Sequence, residues 1–229
     1  MEHMADKPMI YVDDVSKSYH NGEITSQVFN HISFTVEKGE LAAITGDSGS
    51  GKTTLMNLLG ALDSPDSGRI FIHNKEISNM KAEQRTLYRR EHIGFIFQDY
   101  NLIQVLNVYE NIMLPLQLGH KPANEKTINF LLDKLHLTEK KYCLPSQLSG
   151  GEQQRVAIIR ALIHQPDLIL ADEPTGNLDS KNTVIVVKLL AALCRQFQHT
   201  TVLVTHNMQI AKLCDRRIII KDGSVRQER

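Results

Sequence analysis

The stretch that decides the fold of this chain is Gly46-Asp47-Ser48-Gly49-Ser50-Gly51-Lys52-Thr53-Thr54. It fits the pattern G-x-x-x-x-G-K-[ST], a loop whose backbone N–H groups surround the phosphates of a nucleotide. Glycine tolerates the backbone angles that such a loop requires. In this pattern the lysine reaches the β- and γ-phosphates, and the next hydroxyl residue is a ligand for magnesium. The stretch therefore predicts a nucleotide site, with its glycines, serines, lysine and threonines as contacts.

The sequence on both sides of the loop supports this interpretation. Residues 41–45 form a short apolar run typical of a buried strand, and leucines 55, 58, 59 and 62 recur at helical spacing after the loop. A strand, a glycine-rich turn and a helix N-terminus together bind anions, because the first helical N–H groups have no partner within the helix. A chance match to a glycine-rich turn is the alternative, and these flanks disfavour it.

Composition limits the class of protein. A chain of 229 residues suits one large α/β domain, or a core with one subdomain. Lys plus Arg and Asp plus Glu are both 26, so no global field attracts nucleic acid or an acidic membrane. No run of about 18 apolar residues appears, and we expect the chain to stay in the cytoplasm without spanning a membrane. The three widely spaced cysteines predict small buried groups rather than a disulfide framework or a zinc site.

Strand patterns and helical patterns alternate along the chain, which favours a doubly wound α/β core. The segments with strand character are residues 10–12, 28–29, 32–36, 41–45, 69–72, 93–97, 168–172 and 201–205, with a terminal hairpin over 217–225. The first three surround the turn signal Asn21-Gly22 and predict an antiparallel sheet ahead of the phosphate loop.

Helical character dominates residues 99–165, which predict an inserted helical subdomain. Pro115 and Pro122 are expected to divide it into shorter pieces. Residues 80–91 and 124–137 are also expected to be helical, as are residues 180–198 despite a β-branched run.

Two adjacent acids end the apolar run of residues 168–171. Asp172 has the position to bind magnesium directly or through water, and Glu173 the position to polarise a water molecule. A polar turn after a core strand is the alternative, and for an isolated Asp-Glu-Pro it is the more common explanation.

A second candidate anion site lies in Leu148-Ser149-Gly150-Gly151-Glu152-Gln153-Gln154-Arg155. Two glycines precede a helical pattern here, so Ser149 and the first N–H groups of the helix would face an anion. One chain then carries two phosphate sites. This suggests that two copies meet head to tail, each nucleotide lying between the loop of one copy and Ser149 of the other.

Together these motifs resemble the ATP-binding cassette of ABC transporters. The matching set, in chain order, is Gly46–Thr54, Gln98, Leu148–Arg155, Leu168–Glu173, Asn177-Leu178-Asp179 and His206. It covers nearly the whole chain, and the segment from Leu148 to Arg155 is very specific to that superfamily. The resemblance implies a P-loop NTPase α/β fold with a mostly parallel core sheet, an N-terminal antiparallel β subdomain and an inserted helical subdomain. It implies one ABC ATPase domain, with 9–98 and 166–229 as nucleotide-binding core and 99–165 as helical signature subdomain.

The resemblance also implies which residues bind the cofactors, ATP and Mg²⁺. Tyr19 matches the aromatic residue that stacks on adenine. Lys52, Thr53 and Thr54 match the contacts of phosphate and magnesium. Asp172 matches the acid associated with magnesium.

Other matching positions are implied to act in hydrolysis and in the dimer. Glu173 matches the general base, and His206 matches the switch histidine that contacts the γ-phosphate. Gln98 matches the glutamine that contacts the metal and the attacking water while sensing the transmembrane partner. Ser149, Gly150 and Gly151 match the signature that closes on the γ-phosphate across the dimer, and Asp179 matches the loop that joins the two sites.

The implied protein is an active ATPase at the inner face of the cell membrane, paired with a second copy and a separate permease. Residues 55–58, 94–98 and 172–180 look like those of the group that serves macrolide exporters, lipoprotein-release complexes and antimicrobial-peptide resistance pumps; residues 97–102 favour the last. Residues 99–111 are expected to transmit motion to the permease, with Tyr100 and Tyr109 either exposed to it or packed internally.

Two alternative functions use the same ATP chemistry. One is a regulatory ATPase of a cell-division-type membrane complex, which transmits a signal without moving a substrate. The other is a nucleic-acid-associated ATPase of the same superfamily. The neutral charge and the single cassette disfavour the second alternative, so no nucleic acid is expected as a partner.

Overall fold

A computed structural model describes residues 7–22, 24–178 and 180–228 of the chain. The strands, in chain order, are β1 (Ile10–Asn21), β2 (Ile24–Val36), β3 (Leu41–Gly46), β4 (Ser67–Ile72), β5 (Lys75–Glu76), β6 (Ile93–Ile96), β7 (Leu168–Asp172), β8 (Thr200–Val204), β9 (Arg216–Lys221) and β10 (Ser224–Glu228). The helices are α1 (Lys52–Leu59), α2 (Ala82–His92), α3 (Val108–Leu118), α4 (Glu125–Lys134), α5 (Gly150–Leu162), α6 (Ser180–Phe197) and α7 (Met208–Ala211). Single 3₁₀ turns cover Thr138–Lys140 and Pro145–Gln147.

The strands form two sheets. The first, in the order β2-β1-β4-β5, is antiparallel throughout. The second has the order β10-β9-β3-β8-β7-β6 and is parallel except for β10 at its edge. The predicted α/β fold, with an antiparallel sheet and a mostly parallel core sheet, is confirmed.

The order of the parallel strands places the predicted site. Strand β3 lies between β9 and β8, and β7 lies on the other side of β8. Because the strands run in the same direction, the segments that follow β3, β7 and β8 all emerge at one edge of the sheet. This edge carries the phosphate loop, Glu173 and His206.

Side chains on the two faces of the parallel sheet belong to two different hydrophobic cores. On β7, Leu168 and Leu170 pack towards the antiparallel sheet, whereas Ile169 and Ala171 pack towards the helical region. Successive strand residues point to opposite faces, so a sheet covered on both sides requires the continuous apolar run that the sequence shows.

Pro115 differs from its expected role, because it lies inside α3 rather than dividing it. An interior proline removes one helical hydrogen bond and crowds the preceding turn. Here Pro115 lies near the C-terminus of α3, so few bonds depend on it, and the buried Ile112 and Leu116 hold the helix against the core. Pro122 lies between α3 and α4, as predicted.

Helix α1 is shorter than the leucine spacing indicates. It ends at Leu59, and Leu62 lies beyond it with 48% of its surface exposed. The helix ends at Gly60, where a Cβ would lie 2.7 Å from the ring of Phe95. The chain needs a glycine there to pass the aromatic side chain.

Helix α6 forms across the β-branched run, as predicted, because Val186 and Val187 are buried on its inner face.

Of the cysteines, only Cys194 is buried, and its sulfur accepts a hydrogen bond from the Thr201 hydroxyl at 2.9 Å; Cys143 and Cys214 are half-buried. None of the helices in the described ranges is both long enough and apolar enough to cross a membrane.

Candidate active site

The phosphate loop lines a cleft of about 490 Å³ at the carboxyl edge of the parallel sheet. The residues that line this cleft are Tyr19, Val28, Gly46, Ser48, Gly49, Gly51, Lys52, Thr53, Thr54, Glu173 and His206. All of them except Val28 are site residues that the sequence predicts. Val28 comes from β2 and belongs to no recognisable motif, so sequence reasoning missed it.

Gly51 shows why the loop needs glycine. Its φ of +101° is in the left-handed region, and a Cβ there would lie 2.6 Å from a methyl carbon of Val28. Gly51 is also the N-cap of α1, and no side chain in the described part of the protein caps this helix. Its first turn contains no acidic residue. The first N–H groups of α1 therefore remain available to an anion.

The ammonium group of Lys52 lies within the loop. It donates to the carbonyl oxygens of Gly46, at 2.9 Å, and Asp47, at 2.7 Å. The hydroxyl of Ser50 is buried in the same loop and has no hydrogen-bond partner within the described ranges. A buried hydroxyl without a partner is unfavourable, so a phosphate oxygen near the loop would satisfy it.

Glu173 and His206 come together from the ends of β7 and β8. One Glu173 carboxylate oxygen accepts the backbone N–H of His206 at 3.0 Å and lies 2.8 Å from its Nδ1. The Glu173 backbone has a φ of +44°, and its N–H donates to the carbonyl of Val204 at 3.0 Å. The carboxylate is 17% exposed, whereas the histidine ring is 75% exposed. Glu173 is thus held in place, and His206 extends into solvent.

Asp172 lies behind this pair and does not line the cleft. Its burial and the neighbouring charge of Glu173 raise the pKa of its carboxyl, while Lys52 lowers it. A nearby positive charge favours the ionised form of a buried carboxylate such as that of Asp172. Carboxylate and hydroxyl oxygens are the ligands that Mg²⁺ prefers, so Asp172 and Thr53 fit this cation.

Gln98 lies outside the cleft and packs against the segment that follows Glu173. Its side-chain amide donates to Asn177 Oδ1 at 3.2 Å, and Asn177 donates back to the Gln98 carbonyl at 3.1 Å. A Cβ on Gly176 would lie 2.7 Å from the Gln98 amide nitrogen. Gln98 is therefore coupled to the loop after the candidate base, a pairing that the sequence does not reveal.

Ser149 is the N-cap of α5 and lies outside the cleft of its own chain. Its N–H and its hydroxyl each donate to Glu152 Oε2 at 2.8 Å. These hydrogen bonds, the backbone one first, lower the pKa of Glu152, although burial opposes them. The carboxylate of Glu152 thus occupies part of the second anion site in the single chain.

The glycines of this segment lie close to other parts of the chain. A Cβ on Gly150 would lie 2.7 Å from the hydroxyl of Tyr100, and Gly151 is buried. Tyr100 and Tyr109 are partly buried against the helical core, so the internal-packing alternative holds for both. Asp179, the remaining predicted site residue, lies outside the described residues.

Comparison with known proteins decides the family. Residues 29–176 match the family model described as "ABC transporter", which is more than half of the chain. The chain belongs to the ABC transporter family. Membership of this family explains why one chain contains the phosphate loop, Glu173 and the glycine-containing N-terminus of α5.

Relatives of this family member include two named transport proteins. The lipoprotein-releasing system ATP-binding protein LolD of Colwellia psychrerythraea is 44% identical over 214 residues, covering 93% of this chain and 83% of LolD. The macrolide export ATP-binding/permease protein MacB of Brucella melitensis is 43% identical over 224 residues, covering 97% of this chain. The matched part is 34% of MacB, so the chain spans about a third of that protein.

A solved structure shows the same architecture. It is the dimeric, post-hydrolysis state of the ATP-binding cassette MJ0796 bound to ADP and Pi, with a TM-score of 0.87 and 38% sequence identity. The match covers 96% of this chain and 98% of that one. The predicted ABC cassette fold, ATP binding and ATPase activity are confirmed for this ABC transporter subunit. The dimer of MJ0796 agrees with the predicted pairing of two copies.

Proposed function

We propose that this chain hydrolyses ATP with Mg²⁺ at sites shared by two copies and thereby drives a separate transmembrane permease. The observation that carries the proposal is the meeting of Glu173, His206 and the phosphate loop in one cleft. A base beside an anion-binding loop is the minimum arrangement for attack by water on a bound phosphate.

In the proposed complex, α1 and Lys52 bind the β- and γ-phosphates. The uncapped N–H groups of α1 supply hydrogen bonds, and the Lys52 ammonium supplies charge. Tyr19 stacks on the adenine ring from the rim of the cleft, where 42% of its surface is exposed. The adenine ring would therefore be bound by a residue of β1, and the phosphates by helix α1 and the loop before it.

Thr53, Asp172 and Gln98 are the proposed magnesium-binding residues. The raised pKa of Asp172, caused by burial and by Glu173, supports a nearby cation. When bound, Mg²⁺ neutralises charge that develops on the phosphate oxygens. Gln98 would reach the metal from the loop that it shares with Asn177.

Glu173 is the proposed general base. It takes a proton from water as the water oxygen bonds to the γ-phosphorus and the bond to the β-phosphate oxygen breaks, giving ADP and inorganic phosphate. His206 anchors the carboxylate through its N–H and extends its own ring towards the γ-phosphate.

The second copy would complete each site with Ser149, Gly150 and Gly151. Support comes from the position of the α5 N-terminus, which does not line the cleft of its own chain. Asp179 would join the two sites of the dimer. We also propose that residues 99–165 act as the helical signature subdomain and move relative to the core formed by 9–98 and 166–229.

The permease would dock in an apolar groove of about 630 Å³. Leu62, Phe95, Phe97, Leu114 and Leu118 line it. Arg89, Arg90 and Arg160 also line it, so the fitting occupant is an apolar permease helix that carries an acidic residue. Phe97 precedes Gln98, which connects this groove to the loop beside the base.

The names of LolD and MacB support export or release as the driven process, with a macrolide or a lipoprotein as substrate. The resemblance of residues 97–102 to the antimicrobial-peptide resistance pumps adds an antimicrobial peptide as a third candidate. The test is to express the tagged chain in its native host, solubilise the membranes gently and identify the co-purifying membrane protein. A permease with a large extracytoplasmic domain is the expected partner. The substrate of that permease is expected to stimulate the ATPase activity of the complex. Recovery with a cell-division membrane protein would instead support the regulatory alternative, and recovery only with ribosomes or DNA would contradict the proposal.

A further inference from the structure

Tyr19 is held by side chains that belong to none of the recognised motifs. Its hydroxyl donates to Asp63 Oδ2 at 3.0 Å. The Lys17 ammonium nitrogen lies 5.1 Å from the centroid of its ring, a cation–π distance. Tyr19 lines the nucleotide cleft, whereas Lys17 and Asp63 do not. The ring is therefore fixed from outside the cleft and exposed within it.

Lys17 and Asp63 are themselves held firmly. The Lys17 side chain is only 10% exposed, and its ammonium lies 3.0 Å from an Asp63 oxygen and donates to the Ser64 carbonyl at 2.8 Å. Burial alone would lower the pKa of Lys17, but the hydrogen bond to Asp63 and the charges of Asp63 and Asp66 raise it above its usual value. Burial alone would raise the pKa of Asp63, but hydrogen bonds from Lys17, from the Ser64 N–H and from Tyr19 lower it. Both groups are charged at neutral pH.

This cluster also joins the strand that carries Tyr19 to the helix of the phosphate loop. Asp63, Ser64 and Asp66 follow α1, and the N–H of Ser18 donates to Asp66 Oδ2 at 2.6 Å. The β1 end and the segment after α1 are thus tied by an ion pair and by hydrogen bonds. The same cluster of side chains therefore contacts both Tyr19 and the segment that follows the phosphate-loop helix.

We infer that Asp63 and Lys17 are positioning residues that hold the Tyr19 ring ready for the adenine base. The inference rests on the proposed adenine contact of Tyr19. An untethered tyrosine would lose rotamer freedom when the base stacks on it, and a tethered ring has already lost that freedom. The tether therefore increases affinity for ATP through the base and leaves the chemical step unchanged.

The test measures KM for ATP, kcat, and the inhibition constant of inorganic tripolyphosphate, which has neither base nor sugar, in the full chain. Tyr19→Phe removes the hydroxyl bond and keeps the ring, and Asp63→Asn removes the charge of the acceptor. Both are expected to raise KM about two- to tenfold with kcat within twofold, because one ordered side chain is released. The tripolyphosphate constant is expected to stay within twofold. Lys17→Met is also expected to raise KM for ATP.

Glu83→Gln is the matched control, since it makes the same acid-to-amide change at an exposed position of α2 outside the cluster of Lys17, Asp63 and Asp66. Its KM for ATP is expected to stay within twofold. A parallel rise in the tripolyphosphate constant of Asp63→Asn would show a general distortion of the loop and overturn the inference.

Tyr19→Ala separates failure of the inference from failure of the proposed site. An unchanged KM in this variant would show that the adenine contact itself is wrong. A raised KM in Tyr19→Ala combined with normal values in Tyr19→Phe and Asp63→Asn would retain the contact and overturn the tether. Tyr19→Phe removes only an oxygen from a partly exposed side chain, so its result stands even where Asp63→Asn fails to fold.

Discussion

Two helices of this cassette begin after glycine-containing segments, and their N-termini differ. Helix α1 starts at Gly51 with no side-chain cap in the described structure, no acid in its first turn and Lys52 beside it. Helix α5 starts at Ser149, where Glu152 accepts both the N–H and the hydroxyl of the capping serine. The first helix is prepared for an anion, and the second already has a carboxylate in place.

The difference indicates when each helix binds phosphate. In the proposed mechanism, helix α1 needs only the nucleotide, so a single copy would bind the phosphates by itself. The N-terminus of α5 lies outside the cleft of its own chain, and Glu152 must move before a phosphate can bind there. In the proposed dimer, the phosphate bound to α1 of the second copy would displace the Glu152 carboxylate. ATP binding and ATP hydrolysis should therefore depend on different parts of the chain.

The largest expected effect is on the hydrolysis step, which depends on Glu173 rather than on either helix N-terminus. Glu173→Gln keeps the shape of the side chain but removes the base, so kcat should fall about 10²- to 10⁴-fold. Affinity for ATP should stay within a few-fold, because α1 is intact. Steady-state phosphate release and equilibrium ATP binding measure the two quantities. Glu91→Gln, an exposed change on α2, is the control, and normal turnover by Glu173→Gln would exclude the proposed base.

The next effect tests the α1 side of the comparison. Lys52→Ala removes a charge-assisted contact to the phosphates, which is worth about 1.5–3 kcal/mol. The Kd of ATP should rise about 10- to 100-fold even at protein dilutions where only single copies are present. Isothermal titration of the diluted chain measures this. An unchanged Kd in Lys52→Ala would mean that the loop is not the primary phosphate site.

The third effect tests the α5 side. Ser149→Arg places a bulky group at the N-terminus of α5 without touching the cleft of the same chain. ATP binding by single copies should stay within twofold, while kcat falls about tenfold or more, because the second copy cannot close. Ser146→Arg, an exposed position in the preceding turn, is the matched control. If single copies of Ser149→Arg lost ATP binding, the proposed difference between the two helices would be wrong.

The smallest effect concerns the other end of α5. His164 follows this helix and is buried, and burial lowers its pKa to about 4. The unfolded chain, with a histidine pKa near 6.5, binds more protons between pH 6.5 and 4. The contribution of neutral His164 to the free energy of unfolding is therefore complete above pH 6.5 and is lost as the pH falls towards 4. The loss is roughly 1–3 kcal/mol.

Chemical denaturation at pH 7 and pH 5 measures this loss. His164→Gln should lose less stability than the natural chain between the two values, although His199, whose burial also lowers its pKa, keeps its own dependence. The exposed His136→Gln should behave like the natural chain. An equal acid dependence in His164→Gln would show that His164 is not the titrating group.

The motifs predict the local parts of this site well, because each phosphate-binding or acidic segment follows its own strand. The phosphate loop, Glu173 and His206 lie in one cleft because β3, β8 and β7 are parallel neighbours in the sheet and end at the same edge. The capping box of Ser149 and Glu152 was not predicted, although Ser-x-x-Glu is a known signature of a helix N-terminus.

What the sequence could not supply are the contacts between distant segments. Lys17 and Asp63 are 46 positions apart, and Gln98 and Asn177 are 79 apart, so only the folded sheets bring each pair together. Pro115 was misjudged for a related reason. Its local cost is outweighed by the burial of Ile112 and Leu116, which depends on partners far along the chain.

The most direct test of shared sites is the mass of the Glu173→Gln chain in solution with and without ATP, measured by light scattering during gel filtration. The expected mass is that of one chain without nucleotide and of two chains with ATP, since binding proceeds and hydrolysis does not release the dimer. Adding Ser149→Arg should return the mass to one chain while ATP remains bound. A Glu173→Gln chain that stays single with ATP bound, or a double variant that still pairs, would contradict the assignment of α5 to the partner's nucleotide.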